Sequence, residues 1–132
     1  MVVFDTGEDG FRTVVKDYQE MTLRFVWSSG ERGVSTKQVW LHVNKEFGGS
    51  KFISRASIIN FLNAMVDEGA LRYTEITGKG GHRRIYSPPL DEEGFKRHVT
   101  KNVVAKLFET WPDATREAIE AIIGKMAKGA VS

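Results

Sequence analysis

Ala56, Ser57, Asn60 and Asn63 recur within the stretch from Ser54 to Leu71 at a spacing that puts them on a common side of a helix. Their chemistry suits the edge of a base pair. An amide can pair bidentately with adenine N6 and N7, a hydroxyl can serve several bases, and an alanine methyl can pack on the thymine methyl. Arg55 falls in the first turn and toward the apolar side, where a guanidinium suits a phosphate better than a base. A second cluster follows at Gly78 to Arg84, where Lys79, His82, Arg83 and Arg84 are mixed with glycines. Cations on such a loop suit a phosphate backbone, because glycine accepts positive φ and lets another chain approach closely. The bland alternatives are a solvated helix face and a flexible hairpin tip. A solvated face is usually rich in Lys and Glu, and the Ser54 face is not. The run Gly78-Lys79-Gly80-Gly81 lacks both the Lys-Ser/Thr pair and the strand-then-helix order of a nucleotide phosphate loop.

These residues need a rigid carrier, and the apolar pattern supplies one. Ser54 is a suitable N-cap, and Ile58, Leu62, Met65 and Val66, flanked by Phe61, form the buried side of the helix that follows. Before it, Ser35 or Thr36 caps a helix with Val39, Trp40, Val43 and Phe47 toward the core, ended by Gly48, Gly49 and Ser50. A first helix is expected from about Thr13 to Ser29. It is too apolar for one face, and Ser28, Ser29 and Gly30 stop it, with Glu31 to Val34 as the connection. Leu71 to Thr77 and Arg84 to Ser87 read as strands around the glycine-rich loop. This order predicts a mainly α fold with a small antiparallel β-hairpin, a winged helix-turn-helix. The Ser54 helix would be its recognition helix and the Gly78 to Arg84 loop its wing.

Pro88 and Pro89 separate this unit from a different kind of sequence. Asp91, Glu92 and Glu93 suit the positive end of a helix running to about Thr110, with Phe95, Val99, Val103, Leu107 and Trp111 at helical spacing. Trp111-Pro112 breaks it, and Asp113 or Thr115 opens a last helix with Ala118, Ile119, Ile122, Ile123 and Met126 on one side. A small body has little surface to cover two more apolar stripes. Val99, Val103, Leu107, Trp111, Ile119 and Ile122 are therefore expected at a homodimer interface. The expected organisation is an arm at 1–12, pinned by Phe4 and Phe11, a winged-helix domain at 13–89, and C-terminal dimerization helices at 90–132.

The net charge of +2 is uninformative until divided. Residues 51–90 hold 6 basic and 3 acidic residues, whereas 1–50 hold 6 and 7 and 91–132 hold 7 and 7. The positive excess lies in the expected helix and wing, which favours double-stranded DNA as partner. There are no cysteines, so disulfides, zinc fingers and thiol nucleophiles are excluded. No apolar run approaches the roughly 20 residues that span a membrane, and the acidic start is unlike a signal peptide, so a cytoplasmic location is expected. His42, His82 and His98 are far apart and lack ligand-spaced neighbours, and no nucleophile, base and oxyanion set assembles. No enzyme, metal or cofactor is expected.

The chain resembles the penicillinase-repressor family of transcriptional regulators over about residues 17 to 111. The similarity is carried by Leu23, Trp27 and Ser29-Gly30, by Val34-Ser35-Thr36-Lys37-Gln38-Val39, by Ile58, Leu62, Met65-Val66, Glu68-Gly69 and Leu71, and by Arg83 to Pro88. The resemblance implies dimeric winged-helix repressors with a C-terminal helical dimerization region. The chain also departs from it. Where the family has a Tyr-Thr-Thr-Val run, this sequence has Arg55-Ala56-Ser57-Ile58, and Asn60-Phe61 stands where Thr-Thr often follows. The family's operator therefore does not carry over. Antibiotic-sensing members are cut at an Asn-Phe bond in the C-terminal region, but the sole Asn-Phe here is Asn60-Phe61. The cysteines of the copper-responsive branch are missing, and the sequence shows no effector. The expected function is a sequence-specific, dimeric repressor binding an inverted-repeat operator; the alternative is a winged-helix protein-interaction module of a larger nucleic-acid-processing complex.

Overall fold

The computed structural model describes residues 4–78 and 81–131. The elements run α1 (Asp17–Ser29), β1 (Val34–Ser35), α2 (Thr36–Phe47), α3 (Arg55–Asp67), β2 (Arg72–Gly78), β3 (Gly81–Ser87), α4 (Glu92–Thr110) and α5 (Pro112–Val131). The chain divides into two compact units after Phe95, inside α4 and not at the Pro88-Pro89 pair.

In the first unit α1, α2 and α3 pack around Leu23, Val26, Val39, Val43, Ile58, Leu62 and Met65, all almost fully buried. Their helical spacing is what gathers them on one side of each helix. Ser35 caps α2 by accepting from the Gln38 amide at 3.2 Å, while Gln38 Oε1 accepts from the Ser35 amide at 2.8 Å. Ser54 caps α3 through the Ser57 amide at 3.1 Å. The turn between α2 and α3 is held by Asn44, which accepts from the Ile53 amide at 2.8 Å and donates to the Ile53 carbonyl at 3.1 Å. Trp40 Nε1 donates to that same carbonyl at 3.0 Å.

The sheet has order β1-β3-β2 and is antiparallel throughout. The hairpin is longer than the sequence pattern predicts, with β3 beginning at Gly81 and pairing in register from Gly78↔Gly81 to Arg72↔Ser87. Its alternation is weak because β2 is exposed along its whole length, so no buried face marks it. Strand β1, made of the last residue of the expected connection and the expected N-cap Ser35, pairs Val34 with Tyr86 and Ser35 with Ile85. Two residues carry no periodicity. Gly33 makes this pairing possible: it has φ +72, and a Cβ there would lie 2.7 Å from the Tyr86 carbonyl oxygen and 2.8 Å from Ile85 Cγ2.

The first helix begins at Asp17, later than Thr13, because Gly10–Thr13 forms a separate 3-10 turn. That turn buries Phe11, whose ring lies 5.4 Å from Trp27 and 5.8 Å from Phe95. Phe4 does not share the pinning role expected of it, since it is 62% exposed. The Asp5 amide instead ties the arm to the Thr13 carbonyl at 2.7 Å.

Within the second unit, Thr115 Oγ1 donates to the Leu107 carbonyl at 2.9 Å across the Trp111-Pro112 break. The Trp111 amide donates to the same oxygen at 2.8 Å. Helix α5 starts at Pro112, an N-terminal position where the missing amide hydrogen costs nothing.

Candidate nucleic-acid interface

A groove of about 780 Å³ is formed between the start of α2, one side of α3 and the hairpin. Arg32, Lys37, Arg55, Arg83 and Arg84 line it, with His82, and no carboxylate does so among the described residues. Of these cations only Arg84 has a carboxylate partner among the described residues, Glu75 at 3.9 Å; crowding the others is unfavourable for the free protein and becomes favourable when a polyanion arrives.

The expected base-facing residues occupy α3 unequally. Ala56 and Asn60 are exposed, and no side-chain hydrogen bond holds Asn60 among the described residues. The Ser57 hydroxyl is 2.9 Å from that of Ser54 and is half-buried, so part of its capacity serves the cap. Asn63 is not the free amide expected of it. Its Oδ1 accepts from Arg84 Nη1 at 3.0 Å and from the Tyr86 hydroxyl at 2.6 Å. Arg55 is exposed, with its guanidinium over the Trp40 ring at 5.6 Å.

On the hairpin, His82 and Arg83 are exposed. Arg84 is engaged, lying over the Tyr73 ring at 4.0 Å with its Nε 3.9 Å from Glu75. Lys79, named with them from the sequence, lies outside the described residues.

Arg32, Lys37, Ile59 and Ile76 also line the groove, and sequence reasoning did not select them. Arg32 reaches it because the β1 to β3 pairing draws the preceding turn toward the hairpin. Ile59 is 38% exposed on α3, which periodicity alone could have placed outside the apolar side.

The residues expected at a subunit interface fall in two groups. Val99 is buried and Val103 and Ile119 are half-buried, whereas Leu107, Trp111 and Ile122 are 38%, 61% and 57% exposed. Ile123 and Met126 extend the exposed apolar surface of α5 at 61% and 67%.

Among the described residues no helix is long and apolar enough to cross a membrane, and no cluster of three His, Cys, Asp or Glu could hold a metal ion. His42, one of the histidines considered above, stacks on Phe25 with centroids 4.2 Å apart.

No curated protein matches the sequence significantly. Among solved structures, the fold is similar to part of the Aeropyrum pernix Orc1 protein, a structure of that protein in complex with DNA, with TM-score 0.53 and 15% identity over 70% of this chain. This chain spans only 26% of that one. The hsRosR-S4 and hsRosR-S1 complexes give a TM-score of 0.47 each, at 18% and 16% identity, over 88% of this chain and 92% and 95% of theirs. The penicillinase repressor family matches residues 17–127, which takes in the three-helix body, the hairpin, α4 and most of α5, and the chain therefore belongs to that family.

Proposed function

We propose that this DNA-binding regulator of the penicillinase repressor family acts as a sequence-specific dimeric repressor, in the cytoplasm, on an inverted-repeat operator. The observation that carries DNA contact is the groove, where Arg32, Lys37, Arg55 and Arg83 stand beside the exposed face of α3 without a carboxylate among them. In this reading α3 enters the major groove, Ala56, Ser57 and Asn60 meet base edges, and Arg55, His82 and Arg83 hold phosphates, with Lys79 assigned to the same task from the sequence.

Dimerization is supported by the apolar surface of α5, where Ile122, Ile123 and Met126 are all more than half exposed. A symmetric pair would set two α3 helices about 34 Å apart, matching successive major grooves. The protein-interaction alternative calls for an apolar patch on α3. Ile59 is the sole large apolar side chain exposed there among the described residues, too little for a docking surface.

The test is titration of the full chain against a selected duplex and a random one. Asn60→Ala should weaken the selected site by about 1 to 3 kcal/mol and leave random DNA nearly unchanged, because a base contact is lost and no phosphate contact is. Equal loss on both would remove Asn60 from the base-reading set. Absence of salt-dependent binding to any duplex would end the DNA reading.

A further inference from the structure

The hydrogen bonds at Asn63 restrict what α3 can read. A guanidinium only donates, so the bond from Arg84 Nη1 fixes the amide rotation, with Oδ1 toward the hairpin and Nδ2 away from it. The Tyr86 hydroxyl takes up the second acceptor position of the same oxygen. Bidentate pairing with adenine needs that oxygen to accept from N6, so Asn63 has lost it. What remains for the groove is a donor. Its support is stiff, because Tyr86 is 1% exposed and Arg84 is also held by the Tyr73 ring and Glu75. One turn earlier on the same side of α3 stands Ile59, which lines the same groove with 38% of its surface exposed.

We propose that Asn63 and Ile59 together select thymine at one position of the target site, Asn63 Nδ2 donating to thymine O4 while Ile59 packs on the adjacent 5-methyl group. The proposal rests on the DNA-binding reading and adds the base. Thymine alone presents an acceptor and a methyl side by side in the major groove. Guanine has acceptors without a methyl, and cytosine would set its N4 donor against the Asn63 donor.

The preferred duplex is first selected from a random library by the full chain, and each thymine in it is then replaced in turn. Deoxyuridine removes only the methyl, and a 5-methylcytosine-guanine pair keeps the methyl but turns the acceptor into a donor. At one thymine the native protein should lose roughly fivefold affinity for the first and more than tenfold for the second. Ile59→Ala should abolish the thymine-uracil difference. Asn63→Asp still accepts from Arg84 and Tyr86 but presents an acceptor where Nδ2 stood, and it should bind the 5-methylcytosine site better than the thymine site. A selected site at which the native protein ignores both analogues overturns the proposal and leaves DNA binding intact. Retained thymine preference in Asn63→Asp also overturns it. Failure to bind any duplex overturns the underlying reading and this proposal with it.

Discussion

Removing charge from the groove should flatten the salt dependence of binding by a calculable amount. Arg32, Lys37 and Arg83 are exposed and have no ion-pair partner among the described residues, so replacing them with alanine removes charge without breaking an ion pair. Arg84 is excluded because it supports Asn63, and Arg55 stays in place over Trp40. If Arg32, Lys37 and Arg83 each meet one phosphate, their removal should make the slope of log K against log salt shallower by about 2.7 per groove, at roughly 0.9 per phosphate, with Arg55, His82 and Lys79 contributing equally to both proteins. Raising salt from 50 to 200 mM would then cost the native groove about 40-fold more affinity than it costs the triple variant. In a dimer both slopes double. Fluorescence anisotropy of a labelled random duplex, titrated at five or more salt concentrations, measures them directly. The same flattening should appear on the selected site, because phosphate contacts carry no sequence information. A triple variant with the native slope would refute the assignment of this groove to the phosphate backbone.

Three further outcomes follow from the packing. Gly33→Ala should destabilise the fold by about 2 to 4 kcal/mol in urea unfolding, since its Cβ would meet the Tyr86 carbonyl and Ile85 at a positive φ; native stability would show that β1 is not held against β3 as described. The full chain should sediment as a dimer of the 14.8 kDa protomer at micromolar concentration, and Ile122→Glu with Ile123→Glu should make it a folded monomer with weaker, half-site binding; a native monomer would remove both the dimer and the palindrome. Burial alone would raise the Asp17 carboxyl, but the Lys51 ammonium and the Tyr18 amide hold it below its ordinary range. The stability this contributes is present above the unfolded-state pKa and is lost as pH falls through the folded one. Asp17→Asn should therefore cost about 1 kcal/mol or less near neutral pH, given the exposure of Lys51, with the difference closing in acid; a difference that grew on acidification would contradict the pairing.

The sequence by itself determined the three-helix body, the hairpin and the two C-terminal helices. Local and periodic signals were sufficient for these. Ile58, Leu62 and Met65 recur at helical spacing and are buried, Ser35 and Ser54 precede apolar runs and cap them, and the proline pair closes the hairpin. The same periodicity places Ala56 and Asn60 in solvent. Contacts distant in sequence carried no such signal. Only the tertiary structure joined Val34 to Tyr86, 52 positions apart, and so drew Arg32 and Lys37 to the hairpin. Only it set Arg84 and Tyr86 against Asn63, converting an amide that could donate and accept into one left with its donor. The physical reason is that periodicity decides which side of an element a residue occupies, whereas the hydrogen-bonding capacity left to a side chain depends on the groups that packing brings to it.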